Sequence, residues 1–119
     1  MKLPGPDHPI AIAAEPRRVI VSGAGAILAD TRSALVLREA NYPPVHYIPR
    51  EDADMAALAR SATKSYCPYK GKASNFGIAA LGERGADAVW SYEEPYDAVA
   101  PIRAHLAFYP NRVTITVED

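Results

Sequence analysis

The stretch Arg17-Arg-Val-Ile-Val-Ser22-Gly-Ala-Gly-Ala-Ile-Leu-Ala29 decides the fold class of this chain. Its first part, up to Ser22, is rich in β-branched residues, which favour an extended strand. Gly23 and Gly25 follow, and glycine favours a turn because it tolerates backbone angles that other residues avoid. Ala26-Ile-Leu-Ala29 is then expected to pair back onto the first segment, so the stretch predicts an antiparallel hairpin.

Short strand-like segments continue to the end of the chain. They are Val45–Ile48, Thr63–Cys67, Ala73–Leu81, Ala88–Tyr92, His105–Tyr109 and Val113–Val117. The last two are predicted to form a hairpin around Pro110-Asn-Arg112, with Val113, Ile115 and Val117 facing inward. The chain also has 11 prolines, whose spacing leaves little room for long helices.

Two segments have sequence features that are compatible with a helix. Thr31–Glu39 fits a helix capped by Asp30 or a strand that turns at Pro43-Pro44, and the short spacing favours the strand. Glu51 to Arg60 is the best helical segment, because acidic residues crowd its start and Arg60 lies near its end. The pattern therefore predicts a single mainly-β domain of short antiparallel strands with one short helix.

Length and composition bound the class of protein. A chain of 119 residues is one domain by size, with residues 1–16 predicted as a proline-rich surface arm and residues 17–119 as the domain. A hydrophobic share of 49% and a charged share of 23% are typical of a globular fold. The net charge of −1 disfavours nucleic acid and membrane as partners.

Cysteine usage bears on location and on metals. The single cysteine, Cys67, excludes an internal disulfide and every zinc site built from paired cysteines. A lone thiol suits the cytoplasm, and the segment from Met1 to Pro9 lacks the apolar core of a signal peptide. We therefore expect a cytoplasmic protein with no cofactor and no bound metal.

Five side chains are candidates for a ligand site, namely Tyr47, Arg50, Lys70, Trp90 and Tyr92. Arginine offers a planar grip for an anion, lysine a mobile charge, and the aromatics a stacking wall. Arg50, Lys70 and Tyr92 stand at the ends of three predicted strands, where sites often form. We expect the five to converge on one concave site. The alternatives are that Trp90 belongs to the core and that Arg50 pairs with nearby carboxylates.

A basic segment and the thiol are two further candidates. The basic segment contains Arg60, Lys64, Lys70 and Lys72 with Tyr66 and Tyr69 interleaved. It could hold a phosphate, a carboxylate or a nucleic-acid strand, or it could be a solvated sheet edge. Cys67 could act as a nucleophile if His46 or His105 approached it as a base. Alternatively, Cys67 is a small buried hydrophobic residue.

Several segments together carry a family resemblance. They are Pro43-Pro-Val-His-Tyr-Ile-Pro-Arg-Glu-Asp52, Cys67-Pro-Tyr-Lys-Gly71 with Ala73-Ser74, Ala88-Val-Trp-Ser-Tyr92 with Pro95, and Ala107-Phe-Tyr-Pro110. Their order and combination resemble the bacterial family catalogued as domain of unknown function number 427. The resemblance implies a small mainly-β domain. It also suggests kinship with the tent-like β folds of methionine sulfoxide reductase B and the cereblon ligand-binding domain.

The chain departs from those relatives in its chemistry. Many proteins with the tent-like architecture hold zinc through two cysteine pairs, whereas Cys67 is the only cysteine here. The family is sometimes labelled nucleotidyltransferase-like, but such enzymes need a Gly-Ser or Gly-Gly turn followed by paired metal-binding acids. Ser22-Gly23 is followed only by Asp30, so that label is not adopted.

Three functions remain open from the sequence. The first is a binding module for a small anionic or planar ligand. The second is a small enzyme that uses Cys67 as a nucleophile or redox thiol. The third is a protein-interaction domain. The surroundings of the Cys67 sulfur separate the first two, because a nucleophilic thiol needs a base within hydrogen-bond reach.

Overall fold

Antiparallel pairing organises the whole chain, which a computed structural model describes from residue 1 to residue 119. The ten strands are β1 (Ile10–Glu15), β2 (Arg18–Gly23), β3 (Ala26–Thr31), β4 (Ala34–Glu39), β5 (Val45–Tyr47), β6 (Leu58–Cys67), β7 (Gly71–Ile78), β8 (Val89–Ser91), β9 (Ala107–Phe108) and β10 (Thr114–Glu118). The helical residues form short 3-10 segments at Arg50–Asp52, Met55–Ala57, Ala79–Gly85 and Asp97–Ile102. The mainly-β prediction is therefore confirmed.

The strands form three sheets with the orders β10-β2-β3, β1-β4-β5 and β6-β7-β8-β9. The predicted hairpin of β2 and β3 is confirmed, with a register shift between Val21 and Ser22. The strand interpretation of the Thr31–Glu39 segment is also confirmed, because β4 turns and pairs with β5.

The predicted helix from Glu51 to Arg60 is wrong. Residues 50–57 make two separate 3-10 turns, and Leu58 already begins the ten-residue strand β6. Leu58 lies opposite Ile78 in the pairing of β6 with β7. A helix of this length is marginal without tertiary support, so pairing with β7 decides the conformation of its last three residues.

The predicted C-terminal hairpin is also wrong. β9 pairs with β8, whereas β10 pairs with β2, so the two strands belong to different sheets. Val117 lies opposite Val19 and Ile115 opposite Val21. The two valines of β2 are fully buried, so β10 covers apolar surface there that a local hairpin would leave exposed. The predicted inward face of Val113, Ile115 and Val117 is confirmed, since all three pack against the core.

The segment predicted as a surface arm contains a strand. Ile10–Glu15 forms β1, which pairs with all six residues of β4. Three of the six residues of β1 are exposed, because the strand lies at the edge of its sheet. None of the helical segments is long and apolar enough to cross a membrane.

Two clusters of buried side chains fill the space between the sheets. The larger one includes Val19, Val21 and Phe76, and the smaller one includes Leu37, Tyr47 and Tyr92. Trp90 packs against the smaller cluster and is itself only partly buried. The smaller cluster thus reaches the surface through aromatic side chains.

Candidate functional site

One cavity of about 230 Å³ opens beside the smaller core cluster. Its lining consists of Leu37, Glu39, Tyr42, Pro43, Val45, Tyr47, Ser65, Lys70, Trp90, Tyr92 and Tyr109. Four of the five predicted site residues, Tyr47, Lys70, Trp90 and Tyr92, therefore lie around the same space. Five of the eleven lining residues are aromatic, and a charged pair forms the polar part of the wall. We call this space the aromatic cavity.

The aromatic wall depends on a strand-to-strand arrangement of rings. Tyr47 ends β5 and Trp90 is the middle residue of β8, and their rings meet edge to face at 6.3 Å between centroids. The Trp90 Nε1–H group donates to the Tyr47 hydroxyl at 3.4 Å. On the outer side the Tyr109 ring lies 4.4 Å from Trp90, tilted by 43°. Trp90 thus stands between a buried ring and an exposed one.

A tight turn between β6 and β7 places the Lys70 side chain in the aromatic cavity. The Lys70 backbone N–H donates to the Cys67 carbonyl at 3.2 Å, and Pro68 occupies the position of a turn that suits its fixed backbone angle. Gly71 follows with φ of 108°, a value that favours glycine. The Cys-Pro-Tyr-Lys-Gly sequence is therefore a turn that folds the lysine inward, where only 7% of Lys70 is exposed.

The buried lysine is held by a carboxylate from β4. Lys70 Nζ donates to Glu39 Oε1 at 2.6 Å, and Glu39 Oε2 contacts His8 Nε2 at 2.7 Å. The His8 ring stacks on Tyr69 with 3.9 Å between centroids. Burial raises the pKa of Glu39, but hydrogen bonds from Lys70 and His8 outweigh it, so the net pKa lies below the ordinary value. Glu39 is therefore ionised at neutral pH.

The two buried phenols of the cavity stay protonated. Burial raises the pKa of Tyr47 to about 12, and the hydrogen bond from Trp90 opposes only part of that rise. Burial also raises the pKa of Tyr92, and the nearby Tyr47, Cys67 and Glu39 groups raise it further. A protonated phenol donates a hydrogen bond, so both tyrosines offer donors at physiological pH.

Arg50 does not lie in the aromatic cavity, so the prediction that all five residues converge is wrong for this residue. Its Nε–H donates to the Ala104 carbonyl at 2.7 Å, and its NH2 group contacts Ser91 Oγ at 3.1 Å and Glu93 Oε2 at 2.9 Å. The alternative that Arg50 pairs with a carboxylate is the one the structure adopts, with Glu93 as its partner.

Glu93 also forms an ion pair with a second arginine, Arg60. Arg60 donates to both Glu93 oxygens, at 2.7 and 2.9 Å, and Ser74 Oγ donates to Oε1 at 2.8 Å. Both guanidinium groups lie over the Phe76 ring. The hydrogen bonds from Arg60 lead the causes that lower the pKa of Glu93 to about 2, with Ser74 and Arg50 adding to them. These contacts tie β6, β7 and β8 together.

No histidine or carboxylate forms a hydrogen bond to the Cys67 sulfur. Cys67 is partly buried, and the only side chain in hydrogen-bond contact with its sulfur is Lys70, at 3.5 Å. His46 Nε2 instead contacts Glu15 at 3.0 Å, and His105 Nδ1 contacts the Arg103 carbonyl. The two histidines considered as bases are therefore engaged elsewhere. The arrangement is closer to a packed thiol than to a nucleophile with its base.

The basic segment does not form one patch. Arg60 is paired with Glu93 and Lys70 with Glu39. The two other lysines, Lys64 and Lys72, line a separate open groove of about 420 Å³. Both glutamates at positions 93 and 94 also line that groove, so its charge is mixed.

Seven of the eleven lining residues were not predicted from the sequence, and three of these seven have ionisable side chains, Glu39, Tyr42 and Tyr109. A signal for Glu39 was present, because Leu35, Leu37 and Glu39 alternate and therefore share one face of a strand. The structure buries that face from Leu37 to Glu39. Tyr42 and Tyr109 are 58% and 42% exposed, and each adjoins a proline in the sequence. Such positions resemble ordinary turn residues, so no sequence signal distinguishes them.

The residues of the chain do not fit a metal site. The structure contains no group of three histidine, cysteine, aspartate or glutamate side chains that could hold a metal ion. With a single cysteine, the chain has no ligand set for a zinc site built from two cysteine pairs.

Comparison with known proteins identifies a family and nothing more specific. The model for a family described as "Domain of unknown function (DUF427)" matches residues 11–119, which is nearly the whole chain. The match includes all four predicted residues that line the aromatic cavity. No curated protein matches the chain.

Proposed function

The chain belongs to the family described as a domain of unknown function (DUF427), and within it we propose that this protein is a binding module for a small planar or anionic ligand. The ligand occupies the aromatic cavity. One observation carries the proposal: Tyr47, Trp90 and Tyr92 surround the same space as a buried lysine. Binding sites for small molecules typically combine apolar and aromatic walls with a few polar groups.

The size of the aromatic cavity suits a small ligand. An apolar cavity of about 150 Å³ holds a benzene molecule, and this cavity measures about 230 Å³. A single ring with substituents or a compact double ring therefore fits. Tyr42 and Tyr109 are exposed at its edge, so they form the rim past which a ligand enters.

The shape of the wall supports a planar ligand. Flat aromatic surfaces bind flat partners through offset or edge-to-face contacts, and five of the lining residues are aromatic. The Trp90 and Tyr109 rings already pack against each other, with their centroids 4.4 Å apart, so a ligand lies beside this pair and not between the two rings. The polar end of the cavity supports a ligand with hydrogen-bond acceptors, because Lys70 is a charged donor there. The positive charge of Lys70 is balanced by Glu39.

The proposal extends to location and ancestry. A lone thiol suits a reducing compartment, so we place the protein in the cytoplasm. We also propose the kinship with tent-like β folds, which the three antiparallel sheets support only in general architecture.

The test uses Trp90, the only tryptophan, as a built-in reporter. Isotope-labelled protein gives one indole N–H signal, which we expect to shift on titration with small aromatic probes such as benzoate and benzamide. Tyr109→Ala removes an exposed ring from the rim and should weaken binding about three- to tenfold, the range for one aromatic contact. Tyr66→Ala is the matched control, because Tyr66 is also exposed but lines the other groove. An indole signal that no probe shifts at millimolar concentration would contradict the proposal.

A further inference from the structure

The aromatic cavity holds more hydrogen-bond donors than the protein uses. The Lys70 ammonium group carries three protons. Glu39 Oε1 accepts one at 2.6 Å and the Cys67 sulfur accepts a second, weakly, at 3.5 Å. The third proton has no acceptor within the protein, although the Lys70 side chain is only 9% exposed. The Lys70 ammonium group is therefore hydrogen-bonded within the protein but keeps one proton free for a partner inside the cavity.

The two phenols add two more donors without protein acceptors. The Tyr47 hydroxyl accepts the Trp90 N–H, but its own proton meets no acceptor in the protein. The Tyr92 hydroxyl makes no hydrogen bond to any protein group. Asn75 Oδ1 is the only enclosed side-chain polar atom without a partner, so solvent reaches the Tyr92 hydroxyl even though Tyr92 is only 8% exposed overall. Both side chains line the cavity that Lys70 lines. Their raised pKa values keep both protons in place.

The one charged acceptor of the cavity is already engaged. Glu39 contacts Lys70 through one carboxylate oxygen and His8 through the other. An incoming ligand therefore meets three unused donors and a carboxylate whose oxygens both have partners. The free donors of the wall therefore favour a ligand that accepts hydrogen bonds over one that donates them.

The charge balance of the cavity indicates whether the acceptor group of the ligand is charged or neutral. Lys70 and Glu39 form a salt bridge in which the two side chains are 9% and 11% exposed, so their charges cancel locally. A carboxylate ligand would bring a second negative charge next to Glu39 with no further buried cation among the cavity residues. Burying an uncompensated charge is costly, whereas a neutral carbonyl oxygen accepts the same hydrogen bonds without that cost.

We propose that the ligand of the aromatic cavity is a neutral planar ring carrying a carbonyl oxygen. The ring lies against Trp90, and the carbonyl accepts hydrogen bonds from Lys70 Nζ and the Tyr92 hydroxyl. This inference rests on the proposed function and narrows it, because it selects the planar alternative over the anionic one.

Three probes of similar size separate the possibilities. Benzamide is neutral and has a carbonyl, benzoate has the same ring with a negative charge, and toluene has the ring without an acceptor. Binding is measured from the single Trp90 indole signal during titration. We expect benzamide to bind at least tenfold more tightly than toluene, and more tightly than benzoate.

Two variants assign the contacts. Tyr92→Phe removes a hydroxyl that has no protein partner, so the fold is retained, and it should weaken benzamide about three- to tenfold while leaving toluene unchanged. Tyr66→Phe is the matched control outside the cavity and should change neither probe. Glu39→Gln keeps an oxygen for Lys70 but removes the negative charge, so benzoate should gain affinity relative to benzamide.

The outcomes distinguish this inference from the proposed function. Equal binding of toluene and benzamide, or tighter binding of benzoate, overturns the neutral carbonyl ligand while the binding module stands. Equal effects of Tyr92→Phe on benzamide and toluene overturn the assigned hydrogen bond. If none of the three probes shifts the indole signal, the proposed function fails together with the inference.

Discussion

Lys70 Nζ lies 2.6 Å from Glu39 Oε1, and the two side chains are 9% and 11% exposed. The two residues are 31 positions apart in the chain, so the ion pair ties the β6–β7 turn to the end of β4. Removing one partner of a buried pair leaves a charge without compensation, which costs more than losing the attraction itself. Stability and the polar end of the aromatic cavity therefore depend on the same contact.

Glu39→Ala should lower the free energy of unfolding by about 3 kcal/mol, because it leaves the Lys70 charge buried and unpaired. The double variant Glu39→Leu with Lys70→Met removes both charges and should regain at least half of that loss. Urea unfolding measures both. A double variant as unstable as the single one would show that the charge balance is not what Glu39 supplies.

Acid should destabilise the protein through Glu93. The pKa of this group is lowered to about 2, chiefly by the hydrogen bonds from Arg60. A group with a lowered folded-state pKa stabilises the fold above its unfolded pKa, near 4.5, and this contribution is lost as the pH falls through the folded value. We therefore expect the melting temperature to fall between about pH 4.5 and pH 2, and less steeply in Glu93→Gln.

Glu94→Gln is the control for that titration. Glu94 adjoins Glu93 in sequence, is exposed, and forms no ion pair with any residue of the chain. Its pH profile should follow that of the unmodified protein. Identical profiles for Glu93→Gln and the unmodified protein would show that Glu93 contributes nothing to acid sensitivity.

Local patterns in the sequence predicted the parts of the fold that form between neighbours in the chain. The β2–β3 hairpin and the turn from β4 into β5 follow from glycine, proline and β-branched residues placed close together. Pairing of β10 with β2 joins residues about a hundred positions apart, and no local signal specifies it. The helix predicted at 51–60 failed because Leu58 begins β6 and pairs with Ile78 of β7, a contact that the local helix pattern does not indicate.

The candidate site, like the fold, was predicted in part from the sequence. Aromatic residues next to turns indicated Tyr47, Trp90 and Tyr92, and they do surround one cavity. Arg50 has the composition of a ligand-binding residue, but Glu93, 43 positions away, engages it. Lys70 looked like a mobile surface charge, and only the distant Glu39 explains its burial. Composition and spacing along the sequence could not predict these ion pairs, because their partners lie far apart in the chain.

The turn that presents Lys70 should depend on Gly71. Its φ of 108° suits glycine, and a Cβ there would sit 3.5 Å from the Glu94 carbonyl, which is an ordinary contact. The cost of Gly71→Ala thus comes from backbone strain, about 1–3 kcal/mol. Gly5→Ala is the control, because a Cβ at Gly5 meets nothing within 4 Å and its φ is not positive. Equal melting temperatures for both variants would contradict the strain argument.

Trp90 should contribute to stability and to binding by separable amounts. Replacing a fully buried aromatic residue with alanine costs about 3–5 kcal/mol, and Trp90 is only partly buried, so we expect about 2–3 kcal/mol for Trp90→Ala. Tyr109→Ala, at a residue that is 42% exposed, should cost less than 1.5 kcal/mol. In the double variant the two losses should not add, because the rings contact each other at 4.4 Å.

Chemical denaturation of the four proteins gives the coupling energy between Trp90 and Tyr109. We expect about 0.5–1.5 kcal/mol, the range for an aromatic pair. Trp90→Phe separates the two roles, since it keeps a ring for packing but removes the N–H group that donates to Tyr47. It should restore most of the stability lost in Trp90→Ala and leave the Tyr47 hydroxyl free to bind a ligand. Strictly additive losses, or a Trp90→Ala protein as stable as the unmodified chain, would mean that Trp90 does not organise the wall of the aromatic cavity.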